Sequence, residues 1–173
     1  MRRLFADELL KYAKNDKNIV VVSFDLGYKL WDEFAKLPEQ FYNVGASEMA
    51  GTGIAVGLAL SGKKVFCYSI TNFLLYRPFE FTRNYIDYEK IPICLVGSGR
   101  GKDYTEDGIS HHSEDAIDIL SCLKNITRYW PATKEDIPDM VEDILHNNKP
   151  SFISLTRWVL DINQSLYYDM FIN

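Results

Sequence analysis

The sequence predicts a single three-layer α/β domain, a mostly parallel sheet with helices on both faces. Apolar runs of strand length alternate with stretches of helical period, and no Pro/Ser-rich linker, repeat or low-complexity segment interrupts them. The first strand run, at 19–24, is almost continuously apolar, as expected of a parallel strand buried on both faces. With 173 residues, 47% of them hydrophobic, the chain can bury one sizeable core but is short for two domains, so residues 1–173 read as one.

Phe5, Leu9, Leu10 and Ala13 fall on one face of a first helix. The run at 19–24 follows as a buried strand, ended by Asp25-Leu26-Gly27. Further strands are expected at 65–70, 91–96, 126–129 and 152–155, and helices near 47–61, 74–88, 114–123 and 134–147. Ligands of such sheets bind beyond the carboxyl ends of the strands, which directs attention to the segments after Phe24, Ile70, Val96 and Leu155.

A formal net charge of -5 gives no electrostatic reason to expect nucleic acid or anionic lipid as a partner. Cys67, Cys94 and Cys122 are odd in number, far apart and without metal-ligand spacing, so neither a disulfide framework nor a zinc site is suggested. The N-terminus has no signal-peptide core and no apolar run reaches membrane-spanning length. A soluble protein of the reducing cytoplasm is expected.

The segment 43–63 is the most informative. Ser47 is a candidate N-cap and Gly62 a candidate C-terminal stop. Between them Gly51, Gly53 and Gly57 alternate with Ala50, Ala55 and Ala59, a composition that costs helix propensity and makes sense where another backbone packs very close. Glu48 is the only acid between Gln40 and Phe79. It stands in the first turn, where the helix dipole favours it and where glutamate is also common for no functional reason.

Asn43-Val44-Gly45-Ala46-Ser47-Glu48, followed by Gly53-Ile54-Ala55-Val56-Gly57-Leu58-Ala59-Leu60-Ser61-Gly62-Lys63, resembles the pyrimidine-binding segment of the transketolase family. That family includes deoxyxylulose phosphate synthases and split bacterial transketolases, and the similarity runs over about residues 25–157. The resemblance implies a thiamine diphosphate-binding fold and a role for Glu48. In the family this glutamate contacts N1′ of the aminopyrimidine, which drives the imino tautomer and lets the cofactor deprotonate its own thiazolium C2. A partly buried carboxylic acid suits that proton sharing better than an exposed carboxylate.

The block Tyr68 to Glu80 is similar to the family segment whose aromatic residues hold the pyrimidine ring. Phe73 matches best and is expected at a strand-to-helix turn, with Tyr76 and Arg77 as further cofactor contacts. Tyr76 and Phe79 read equally well as the buried stripe of the next helix. The glycine-rich loop 97–115 carries His111 and His112; adjacent histidines rarely aim at one ion and no third ligand is suitably spaced, so a metal site is not expected. Asp107-Gly108-Ile109-Ser110-His111 resembles the family loop that contacts the donor sugar. It implies hydroxyl recognition by Asp107, stabilisation of substrate or intermediate by His111, and either site contact or loop structure for His112. Asp25 resembles an acid near the thiazolium, although an aspartate in a strand-end turn often bonds only locally. Arg157 sits where relatives grip a sugar phosphate, which a bidentate guanidinium does well, and is equally readable as a surface ion pair.

Family members bind the diphosphate through Mg2+ in a domain carrying Gly-Asp-Gly and a later Asn. No Gly-Asp-Gly occurs here, so the resemblance implies a second, diphosphate-binding chain and an α2β2 heterotetramer. The expected activity is transfer of a two-carbon ketol unit between sugars or sugar phosphates. A deoxyxylulose phosphate synthase-like or 2-oxoacid dehydrogenase β-like subunit is the alternative, and the paired histidines favour a transferase or a synthase. A non-catalytic interaction subunit is opposed by the joint presence of Glu48, Phe73 and His111.

Overall fold

The computed structural model describes residues 1–157. In chain order these form α1 (Arg2–Ala13), β1 (Ile19–Ser23), β2 (Phe41–Asn43), α2 (Glu48–Leu60), β3 (Lys64–Ile70), α3 (Thr71–Tyr76), α4 (Phe79–Phe81), β4 (Ile93–Ser98), α5 (Ala116–Ser121), β5 (Thr127–Tyr129), α6 (Ile137–Asn147) and β6 (Ser151–Leu155). The strands make one six-stranded sheet, ordered β2-β1-β3-β4-β6-β5, and every pairing is parallel. The three-layer α/β expectation is met; the last part of the expected 1–173 domain lies outside the described residues.

Because β1, β3, β4 and β6 are buried at every position bar the first residue of β3, successive side chains feed two cores. Val21, Phe66, Val96 and Ile153 point to the layer of α1 and α6, where Phe5, Leu9, Val141 and Leu145 meet them. Val22, Cys67, Leu95 and Phe152 point to the other side, against Ala55, Leu74 and Leu120 of α2, α3 and α5. Burial pushes the pKa of the Cys67 thiol up to about 12, so it acts as a small apolar core residue.

Several boundaries differ from expectation for identifiable reasons. β2 is an edge strand of three residues, too short to show a pattern. The helix expected at 74–88 is three pieces. α3 starts straight from β3, Pro78 interrupts it, and a seven-residue π-helix (Thr82–Tyr88) follows α4. Phe73 therefore lies inside α3 and not at a turn. The strand expected at 91–96 is β4, shifted two residues on.

Helix α2 ends as its sequence requires. Gly62 takes a positive φ of 91°, its N–H bonds Ala59 O, and Lys63 N–H bonds Leu58 O, the paired closure of a Schellman motif. Ser47 is at the N-cap position but makes no side-chain cap hydrogen bond. Within the chain the close neighbours of Gly51 and Gly53 are side chains. A Cβ on Gly51 would lie 2.4 Å from Phe24 and 2.6 Å from Val44, whereas one on Gly57 would meet nothing within 4 Å.

That contrast predicts opposite outcomes for two identical substitutions. Gly51→Ala should lower stability by about 1–3 kcal/mol through overpacking, despite gaining helix propensity. Gly57→Ala should be neutral or stabilising by up to about 1 kcal/mol. Urea denaturation of the two variants measures both.

Candidate active site

The carboxyl ends of β3, β4 and β6 lie in register at Ile70, Ser98 and Leu155, so the residues that follow them share one edge of the sheet. Thr71 Oγ1 and Ser113 Oγ both donate to Gly99 O, at 2.6 and 3.3 Å, and Gly99 N–H bonds Leu155 O at 2.7 Å. The long loop after β4 is thereby pinned to α3 and β6. Arg100, almost fully buried, donates to Pro131 O and Ser154 O and stiffens the start of that loop.

A row of contacts runs along this edge. Glu48 opens α2 with only 3% of its surface exposed, and its Oε1 accepts a hydrogen bond from Arg77 Nη1 at 2.7 Å. The Arg77 guanidinium lies 3.7 Å above the Phe73 ring. Phe73 meets the His111 ring edge-on, with centroids 4.9 Å apart, and His111 in turn lies 5.9 Å from Tyr104. Arg157 stands 4.7 Å over the other end of the row, the Tyr104 ring.

Glu48 is buried on the side of α2 where Gly51, one turn on, lets Phe24 and Val44 press against the helix. The expectation of a desolvated acid is met in burial, but the carboxylate is also ion-paired. Arg77 is 45% exposed at its side chain, so the pair is partly screened. Arg77 also borders two clefts. One, of about 470 Å³, holds Glu48, Met49 and Phe81, and the other, of about 600 Å³, holds Phe73, Tyr76, His112 and Asp115.

Ser110 Oγ lies 2.9 Å from His111 Nδ1, and His112 Nε2 lies 3.5 Å from Thr105 O, so the second histidine is tied to its own loop. Asp107 closes a 3-10 turn (Thr105–Asp107) in that loop with its side chain exposed. Arg157 is placed by Asp103, whose Oδ2 accepts from Arg157 N, Thr156 Oγ1 and Arg100 N at 2.8, 2.7 and 3.0 Å. Asp25 sits at the end of β1 with φ 57°, exposed, its N–H bonded to Asn43 Oδ1, and among the described residues it makes no contact with the row.

Sequence reasoning missed two members. Tyr104 lies in the loop that attracted attention for its histidines, and an aromatic in a glycine-rich loop was an available signal. Arg2 reaches Ser98 Oγ at 3.3 Å and Tyr104 OH at 3.5 Å from the start of α1, and no spacing could reveal a contact 96 residues distant.

Residues 1–161 match the family described as "Transketolase, pyrimidine binding domain". The chain belongs to this family. It is 32% identical over 158 residues to an apulose-4-phosphate transketolase subunit of Phocaeicola vulgatus, covering 90% of this chain and 51% of that protein. It is 26% identical over 157 residues to a 1-deoxy-D-xylulose-5-phosphate synthase of Clostridium botulinum, covering 90% of this chain and 25% of that one. A solved structure described as a split gene transketolase, inactive beta4 tetramer, matches with a TM-score of 0.80 at 26% identity, over 92% of this chain and 52% of the other. This pyrimidine-binding domain thus spans about half the length of the split transketolase subunits it resembles. No described helix is long and apolar enough to cross a membrane.

The Glu48–Arg77 contact should register as energetic coupling. A double-mutant cycle of Glu48→Gln and Arg77→Met, followed by urea denaturation, is expected to give about 1 kcal/mol, reduced from a buried-pair value by the exposure of Arg77. Additive effects would show that the pair does not hold in solution.

Proposed function

We propose that the chain is the pyrimidine-binding subunit of a split, thiamine diphosphate-dependent transketolase, moving a two-carbon ketol unit between sugars or sugar phosphates. The observation that carries this reading is the row itself: Glu48, Arg77, Phe73, His111, Tyr104 and Arg157 in contact order, with Arg2 beside Tyr104, at the carboxyl edge of a parallel sheet.

The residues present suit the cofactor's pyrimidine half. Phe73 offers a ring face and Glu48 a buried carboxylate, and what now bridges them is the Arg77 guanidinium, itself flat and a hydrogen-bond donor. A flat donor heterocycle suits the same two partners, with Arg77 and Tyr76 bordering the cleft. The chemistry the cofactor supplies when bound is an acidic thiazolium C–H and an electron sink. Glu48 holds and returns a proton at the pyrimidine nitrogen, and Asp25 stands apart from this pairing, at the end of β1. His111, gripped between Phe73 and Tyr104, faces the donor's oxygens, and Asp107 and His112 belong to the same loop. Arg157, with Arg2 beside Tyr104, forms a cationic end suited to a sugar phosphate.

Mg2+ and the diphosphate are assigned to a partner carrying Gly-Asp-Gly and a later Asn, in an α2β2 assembly. Both clefts beside Arg77 are open, so a second chain would supply the missing wall. A decarboxylating synthase is the second reading, favoured by the likeness to the synthase of Clostridium botulinum.

In the enzyme reconstituted with such a partner, Glu48→Gln should cut turnover about 100-fold or more while weakening cofactor affinity less. C2 hydrogen–deuterium exchange of the cofactor at the wild-type rate would remove Glu48 from this role. Arg157→Ala should raise KM for phosphorylated sugars about 10-fold with much less effect on unphosphorylated ones. Equal effects on both would leave Arg157 structural.

A further inference from the structure

Helix α3 does more than present Phe73. Asn72 and Tyr76, four residues apart, lie on one face of it, and both reach across to the loop after β4. Asn72 Nδ2 donates to Ile109 O and Ser110 O, each at a long 3.4 Å, and the Tyr76 hydroxyl donates to Asp115 Oδ2. His111 and His112 stand between these two attachments in the chain.

Asp115 occupies the N-cap position of α5, where an aspartate ordinarily bonds the first-turn N–H groups of its own helix. Here it makes no such cap hydrogen bond, and its carboxylate instead takes the Tyr76 hydroxyl. A local interaction with a recurrent stabilising role has been replaced by a contact across 39 residues. The contact lies at the surface, with Tyr76 41% exposed; partial desolvation, then the bond to Asp115, raise the pKa of its hydroxyl to about 12, so it remains a donor throughout the working pH range. Bonds from a hydroxyl to a carboxylate are among the stronger uncharged-donor contacts, and the two bonds from Asn72 are long enough to be secondary.

We propose that Tyr76 and Asp115 form a latch that positions His111 against Phe73, making both positioning residues. The loop between Gly101 and Ser113 is already closed by the bond from Ser113 N–H to Gly101 O at 2.8 Å, and the latch adds a tie two residues beyond Ser113, where the loop enters α5. Cofactor-facing ring and substrate-facing imidazole are then set relative to each other by one short helix. The importance of this for turnover rests on the reading of His111 as a substrate contact; the latch itself does not.

The test uses the full 173-residue chain without cofactor, whose three histidines can be assigned one by one by substitution. In the wild type the His111 carbon-bound protons should show ring-current shifts from Phe73 and Tyr104. In Tyr76→Phe and in Asp115→Leu those shifts should collapse towards the values of exposed His146, and the His111 and Ser113 amides should exchange about 5-fold faster, the net worth of one hydrogen bond. Asp115→Asn keeps an acceptor oxygen and should retain the shifts. The latch is overturned if Tyr76→Phe leaves shifts and exchange unchanged, or if Asp115→Asn loosens His111 as much as Asp115→Leu does. In the reconstituted enzyme Asp115→Leu should lower kcat several-fold with a much smaller effect on cofactor affinity. Loosening of His111 supports the latch whether or not a transketolase reaction is found, so the two readings fail separately.

Discussion

Parallel pairing forces every connection to return across a face of the sheet, and it brings the carboxyl ends of β1, β3, β4 and β6 to a common edge. The site exists because of that constraint. Glu48, Phe73, His111 and Arg157 come from four different segments beyond the strands, and only the shared edge lets a chain of contacts run from one to the next. Register matters as much as direction: Ile70, Ser98 and Leu155 are matched partners, so Thr71, Gly99 and Thr156 emerge side by side.

Within that frame, charge is arranged unevenly. At one end a single buried carboxylate is met by a half-exposed guanidinium. At the other, Arg2 and Arg157 flank a tyrosine ring, while the nearby carboxylate of Asp103 is engaged by two backbone N–H groups and a hydroxyl. The first end is a half-buried ion pair and the second a pair of guanidinium groups. The aromatic stretch between them, Phe73, His111 and Tyr104, keeps the two ends apart in space.

Much of the fold was legible. Apolar runs of strand length located β1, β3, β4 and β6, because a strand buried on both faces is mostly apolar. The glycine-and-alanine helix was recognised together with its stop at Gly62, since positive φ and the Schellman closure are local. What failed was also physical. A three-residue edge strand carries no period, and the stretch 74–88 kept helical spacing although Pro78 breaks the backbone into pieces of different pitch.

For the site, the resemblance to the transketolase family named Glu48, Phe73, His111 and Arg157, and the local pattern added only that each belongs to a segment leaving a strand end. The sequence by itself determined the fold class, the absence of a Gly-Asp-Gly segment from these residues and which side chains are candidates for the chemistry. Only the tertiary structure decided that Glu48 is ion-paired as well as buried, that Asp25 stands apart from the row, and that Tyr104 and Arg2 join it. Those facts depend on which distant segments the sheet order brings together, and contact between residues far apart in the chain leaves no trace in local spacing.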